Sequence, residues 1–318
     1  MTDNEEPSEE RPELDLPDSE EALEEAEPEL DEWWSWGNFA RLFIFPLIIV
    51  VVSVSIYGVF QMMLREQTSI NEYITQMQTG PENERWRAAY SLAQSVRRQE
   101  AQKKLTRSSV NSIIDLYQNS EQPRMRQYLA LVLAEVPIQE SVEALSSGIQ
   151  SSKPGVKVNS TLALGKLYEK VSDGPLKERL QSTAPRIATL LDDDSMEVRR
   201  MATFVLGSLN NESVIDDLKK TLNDSAREVR WNGAIALGRL GNDSGRDILL
   251  DVLERDLDGS FEDWRPGLRR NLLTNVIDAL VQLDVEKARP LLRRIKENHP
   301  DSKVRGSALK ALENLRNG

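Results

Sequence analysis

Residues 192–253 contain one sequence unit written twice, and that duplication restricts the folds open to the chain more than any other feature. DDDSMEVRRMATFVLGSLNNESVIDDLKKTL is followed at once by NDSAREVRWNGAIALGRLGNDSGRDILLDVL. Val198, Arg199, Ala202, Leu206, Gly207 and Leu209 fall on Val229, Arg230, Gly233, Leu237, Gly238 and Leu240 at a constant offset of 31 residues. A period of that length, with apolar residues three and four apart inside it, belongs to a stack of helix pairs. One pair cannot bury both of its apolar stripes, so each unit needs neighbours to complete a core.

Alignment on Val198 finds further copies. Trp86-Arg87 opens a first unit that is one residue short, as an end cap would be. Met125-Arg126 opens a second and Val156-Lys157 a third, which is longer because Val156 and Val198 are 42 residues apart. After the two regular copies comes a connection at 256–265. Leu268-Arg269 then opens an irregular unit, and Val304-Arg305 a last unpaired helix. The expected fold is all-α: an α-solenoid of about six helix pairs with a C-terminal cap helix over residues 80–318. Asp194-Ser195, Asp224-Ser225 and Asp301-Ser302 stand ahead of three copies as expected N-caps.

VRRMATFVLGSL and VRWNGAIALGRL resemble bacterial HEAT repeats, the short kind first named in phycobilisome lyases. The resemblance implies a right-handed superhelix of antiparallel helix pairs whose concave face, made mostly by the second helices, receives partners. It also implies that the arginine after the valine bonds the acidic turn of a neighbouring unit. By position that role falls to Arg87, Arg126, Arg199, Arg230 and Arg305, with Lys157 in one copy.

The N-terminal region differs in kind. Residues 1–32 hold sixteen acidic residues and one basic residue, too little apolar surface to offset the entropy of ordering, and the expectation is a disordered acidic tail. Residues 33–41 carry Trp33, Trp34 and Trp36, placed like an interfacial aromatic belt. Residues 42–64 lack any charge and as a helix would reach about 34 Å, against roughly 30 Å of hydrocarbon. The expectation is a single-pass transmembrane helix, a connecting helix at 65–79, and a cytoplasmic solenoid on the side richer in arginine and lysine. Arg97, Arg98, Lys103, Lys104 and Arg107 form a basic cluster that would contact lipid headgroups or a partner, or else lie in a solvated loop.

Chemistry is restricted by what is missing. The chain has no cysteine and one histidine, His299, so cysteine zinc sites, thiol nucleophiles and histidine-centred nucleophilic mechanisms lack their parts. In RDLDGSFEDW, Asp256, Asp258, Glu262 and Asp263 suggest calcium, but Gly259 stands fourth rather than sixth and the closing ligand is absent. The net charge of −12 is concentrated in the tail, leaving 33–318 near neutral, which argues against a nucleic-acid binder with an overall basic body and leaves a local basic patch open. Neither a cofactor, a metal nor a small-molecule substrate is expected. The reading is a membrane-tethered, non-catalytic adaptor or scaffold that binds a protein partner. The alternatives are a structural subunit of a larger membrane complex, or an enzyme of the HEAT-like lyase or DNA-glycosylase kind.

Overall fold

The computed structural model describes residues 43–64, 69–98, 102–283 and 286–317, with side chains absent from the description at 60–64 and 316–317. The chain divides into two units, 1–67 and 68–318.

In the first unit, helix α1 (Phe45–Leu64) follows the apolar run, and Ser55 Oγ donates to the Val51 carbonyl at 2.7 Å. Its side chains from Phe45 to Val59 are largely exposed. Among the described residues no helix is long and apolar enough to cross a membrane. The expected transmembrane span over 42–64 is corrected accordingly, and the single-pass membrane location with its cytoplasmic solenoid goes with it. The acidic tail and Trp33, Trp34 and Trp36 lie outside the described residues.

The second unit is helical throughout its described residues. It starts with α2 (Ile70–Thr79), whose N-cap Ser69 accepts from the Glu72 amide. Ile74 and Met77 are buried in the same core as Ala89 and Leu92, so α2 is the first layer of the solenoid rather than a connector. The pairs follow in chain order: α3 (Glu82–Val96) with α4 (Arg107–Asn119), then α5 (Pro123–Leu133) with α6 (Gln139–Gly148). Helix α7 (Pro154–Lys170) is backed by a broken second limb: α8 (Pro175–Gln181), α9 (Ala184–Ala188) and a tight turn at Thr189–Asp192. The regular copies give α10 (Met196–Leu206) with α11 (Ile215–Thr221), and α12 (Arg227–Arg239) with α13 (Arg246–Leu257). Helix α14 (Pro266–Gln282) pairs with α15 (Arg289–Asn298), and α16 (Ser302–Asn317) closes the array. Proline begins α5, α7, α8 and α14, where its missing N–H costs no helical bond.

The first helices of successive units form the more intimately packed layer. Small residues allow it: a Cβ added at Gly207 would come within 2.8 Å of Ala236, and one at Gly238 within 2.8 Å of Ala279. Hydrogen bonds and burial fix the register of the irregular unit. Thr274 Oγ1 donates to the Arg270 carbonyl as Thr203 Oγ1 does to that of Arg199, and Leu273, Val276, Ile277 and Leu280 are buried as Ala202, Val205, Leu206 and Leu209 are, so Arg270 is the counterpart of Arg199. The expected opening at Leu268-Arg269 is therefore one residue too early, and Leu268 is 58% exposed. Packing forms two apolar clusters, Ile74 to Leu237 and Trp231 to Leu315, both touched by Leu222.

Candidate functional site

The arginine column is the most repeated polar feature. In three units its Nη1 holds two carbonyls of the turn that precedes its own helix. Arg199 reaches those of Asp193 and Asp194 (2.8 and 3.1 Å), Arg230 those of Asp224 and Ser225 (2.7 and 3.1 Å), and Arg305 those of His299 and Pro300 (2.7 and 2.9 Å). A second grip crosses to the next unit. Arg199 binds Asp224 through Nε–Oδ2 at 2.7 Å and Nη2–Oδ1 at 3.0 Å, with side chains only 13% and 10% exposed. Lys157 reaches Asp193 at 2.5 Å and Arg270 reaches Asp301 at 2.6 Å.

Each of these aspartates also accepts a backbone amide two residues ahead: Ser195, Ala226 and Lys303. One carboxylate thus shapes the turn and binds the preceding unit, and in the 193–195 turn it comes from Asp193 rather than from the Asp194-Ser195 pair. The Arg199 hydrogen bond holds the Asp224 carboxyl below its ordinary value against the opposing effect of burial. At Asp193 and Asp301 burial pushes upward, but Lys157 and Arg270 together with backbone amides outweigh it and the carboxyls stay low.

Other column members depart from this pattern. In the first unit Arg85 binds back to the Gly80 carbonyl at 2.8 Å, whereas Arg87 lies beside the Trp86 ring. Arg126 faces a following turn, Ser151-Ser152-Lys153, that offers no acid, and its guanidinium sits 5.4 Å over the Tyr117 ring. The Tyr117 hydroxyl bonds Ser160 Oγ at 2.7 Å, and Ser160 in turn donates to the Val156 carbonyl. In the irregular unit two neighbours divide the work. Arg269 holds Asp256 behind it, and Arg270 takes the carboxylate ahead. Of the basic cluster, Arg97, Arg98, Lys103, Lys104 and Arg107 are exposed, and Arg107 pairs with Glu140 at 3.1 Å on the surface.

The 256–265 connection is folded rather than slack. Phe261 is buried and packs with Trp231 and Trp264 at ring separations of 5.6 and 4.9 Å, the two tryptophan rings standing 5.8 Å apart. Beneath it, Asp256 gives Oδ1 to Arg269 Nε at 2.6 Å and turns Oδ2 toward His299 Nε2 at 3.4 Å. The two side chains are 0% and 3% exposed, and neither facing atom has a hydrogen-bond partner. His299 Nδ1 accepts the Asp301 amide at 3.0 Å. Sequence reading missed this cluster because 43 residues separate Asp256 from His299 and no motif links them.

The outer side of the first-helix layer carries apolar residues in succession. Tyr90 and Phe204 are 44% and 37% exposed, and Tyr128, Leu131, Leu162 and Met201 are half-buried between them. Tyr90 meets Tyr128 edge to face at 5.2 Å. Leu162 and Phe204 line a cleft of about 180 Å³ between α7 and α10, with Lys166 and Glu169 on its rim.

Residues 183–264 match the family model for HEAT repeats. None of the curated proteins matches the chain. The X-ray structure of YibA from E. coli is 18% identical, with a TM-score of 0.52 over 79% of this chain and 83% of that one. The complex of CpcE and CpcF of phycocyanin lyase from Nostoc sp. PCC7120 is 15% identical, with a TM-score of 0.51 over 78% and 95%. At such identities these likenesses carry the fold: a HEAT-type helical-repeat solenoid.

Proposed function

We propose that the solenoid is a protein-binding scaffold, without catalysis, whose docking face is the outer side of the first-helix layer. The observation that carries this reading is the apolar succession Tyr90, Tyr128, Leu131, Leu162, Met201 and Phe204. Isolated apolar residues on a surface need no explanation, but a contiguous row rimmed by charge marks an interaction site. The first helices of successive units pack more closely than the second helices, so the row on their outer side runs from unit to unit. A HEAT-type fold supports the reading, since stacked repeats create extended binding surfaces.

The test compares two faces of one protein. A photo-crosslinking residue placed at Phe204 should trap a defined protein in cells. The same residue at Asp216, on a second helix, should not. Equal trapping from both positions, or none from Phe204, would overturn the assignment.

A further inference from the structure

We propose that His299 is an acid-sensitive latch whose protonation breaks the turn leading into α16 and loosens that helix from the end of the array. Two ring nitrogens with different duties are the basis. Nδ1 accepts the Asp301 amide at 3.0 Å, so the neutral ring carries its proton on Nε2, pointed at Asp256 Oδ2. A second proton, taken from solvent, has only Nδ1 to enter. The imidazolium then presents an N–H to the Asp301 N–H, and that hydrogen bond is lost.

The turn affected is the one that holds α16 in place. Asp301 accepts the Lys303 and Val304 amides and pairs with Arg270, while Arg305 grips the carbonyls of His299 and Pro300. Val304, Ala308 and Leu315 complete the second apolar cluster beneath.

The charged groups around the ring are Asp256 from α13, Arg269 and Arg270 from α14, and Asp301 and Arg305 from the turn and α16. Glu262 and Asp301 border the adjoining cleft of about 280 Å³. Asp256 draws a proton toward the ring and Arg269 repels one. Burial is the largest influence and, joined by Arg269, outweighs the pull of Asp256 and Asp301 and holds the imidazole below its ordinary value. The sign follows. A group with a depressed folded value is protonated more readily in the unfolded chain, so stability is complete above about pH 6.5 and falls as acid is added. Histidine is the side chain whose ordinary titration lies between pH 5 and 8. The chain has one, so the effect has a single source.

The experiment uses the full chain and its His299→Asn variant. Asparagine keeps an acceptor for the amide two residues ahead, the turn that Asn211 and Asn242 already make here, and does not titrate. Hydrogen-exchange protection, corrected for intrinsic rates, is compared at pH 7.5 and 5.5 for amides of α16 and of α5. Alongside it, the ring Cε1 proton of wild type is titrated by NMR. Wild type should lose protection in α16 but not α5 at the lower pH, the variant should keep it in both, and the ring should titrate below 6.5. Equal loss in the variant, no loss in wild type, or a ring titrating at or above 6.5 would overturn the latch. If the variant does not fold, the wild-type titration and the α16-against-α5 comparison decide alone.

Discussion

Arg199 shows how one side chain can tie successive units together. Its guanidinium spends one edge on two carbonyls of its own turn and the other on Asp224 of the next. Truncation would leave Asp224 largely buried without its cation, so Arg199→Ala should destabilise by about 2 kcal/mol. Acid should act on the same bond. A carboxyl held below its ordinary 3.8 contributes stability that is complete above that value and drains away beneath it. Denaturant titrations at pH 7 and pH 3 check both points: the difference between wild type and Arg199→Ala should shrink in acid. A constant difference would mean the pair is not the source. Arg199 itself was legible from sequence because its position repeats. Arg270 was not, since Arg269 beside it fits the column equally well and only the fold shows which one meets Asp301.

Among the helices, α14 shows where periodicity stops informing. Arg269 and Arg270 stand side by side, so a slip of one residue keeps an arginine in the column, and the sequence offers no basis for choosing. The tie is broken by the fold, in which Arg270 meets Asp301 and Thr274 bonds the Arg270 carbonyl as Thr203 bonds that of Arg199. A pair of substitutions tests the observed register. Leu273 is fully buried, and Leu273→Ala should cost roughly 2–4 kcal/mol by cavity formation. Leu268→Ser, on an exposed residue, should stay within about 0.5 kcal/mol. Comparable losses for both would contradict the register. The regular copies needed no such arbitration, because Val198, Leu206 and Leu209 recur in place at Val229, Leu237 and Leu240. Helix α1 marks a different boundary. Its apolar run announced a helix, which is there. Composition could not say what surrounds it, and the expected span was not found among the described residues.

Across the whole array, the division into two apolar clusters bears on cooperativity. Helix α12 contributes Ala236 and Leu237 to one and Trp231, Ala234 and Ile235 to the other. Repeat arrays behave as chains of nearest-neighbour couplings, and a change of core at one helix is a weak joint. Urea unfolding of the chain should therefore leave two-state behaviour, with exchange probes in α5 and in α14 reporting separate midpoints. Coincident transitions would show that α12 transmits stability without loss. The arginine and lysine rungs bear on tolerance of added sequence. They close over separations of 25, 31 and 36 residues with heavy-atom distances of 2.5–2.7 Å throughout. What must be conserved is the meeting of a cation with the following turn, whatever the length of chain between them. The limb opposite the proposed docking face, already lengthened in α8 and α9, is thus the permissive place for grafting new segments.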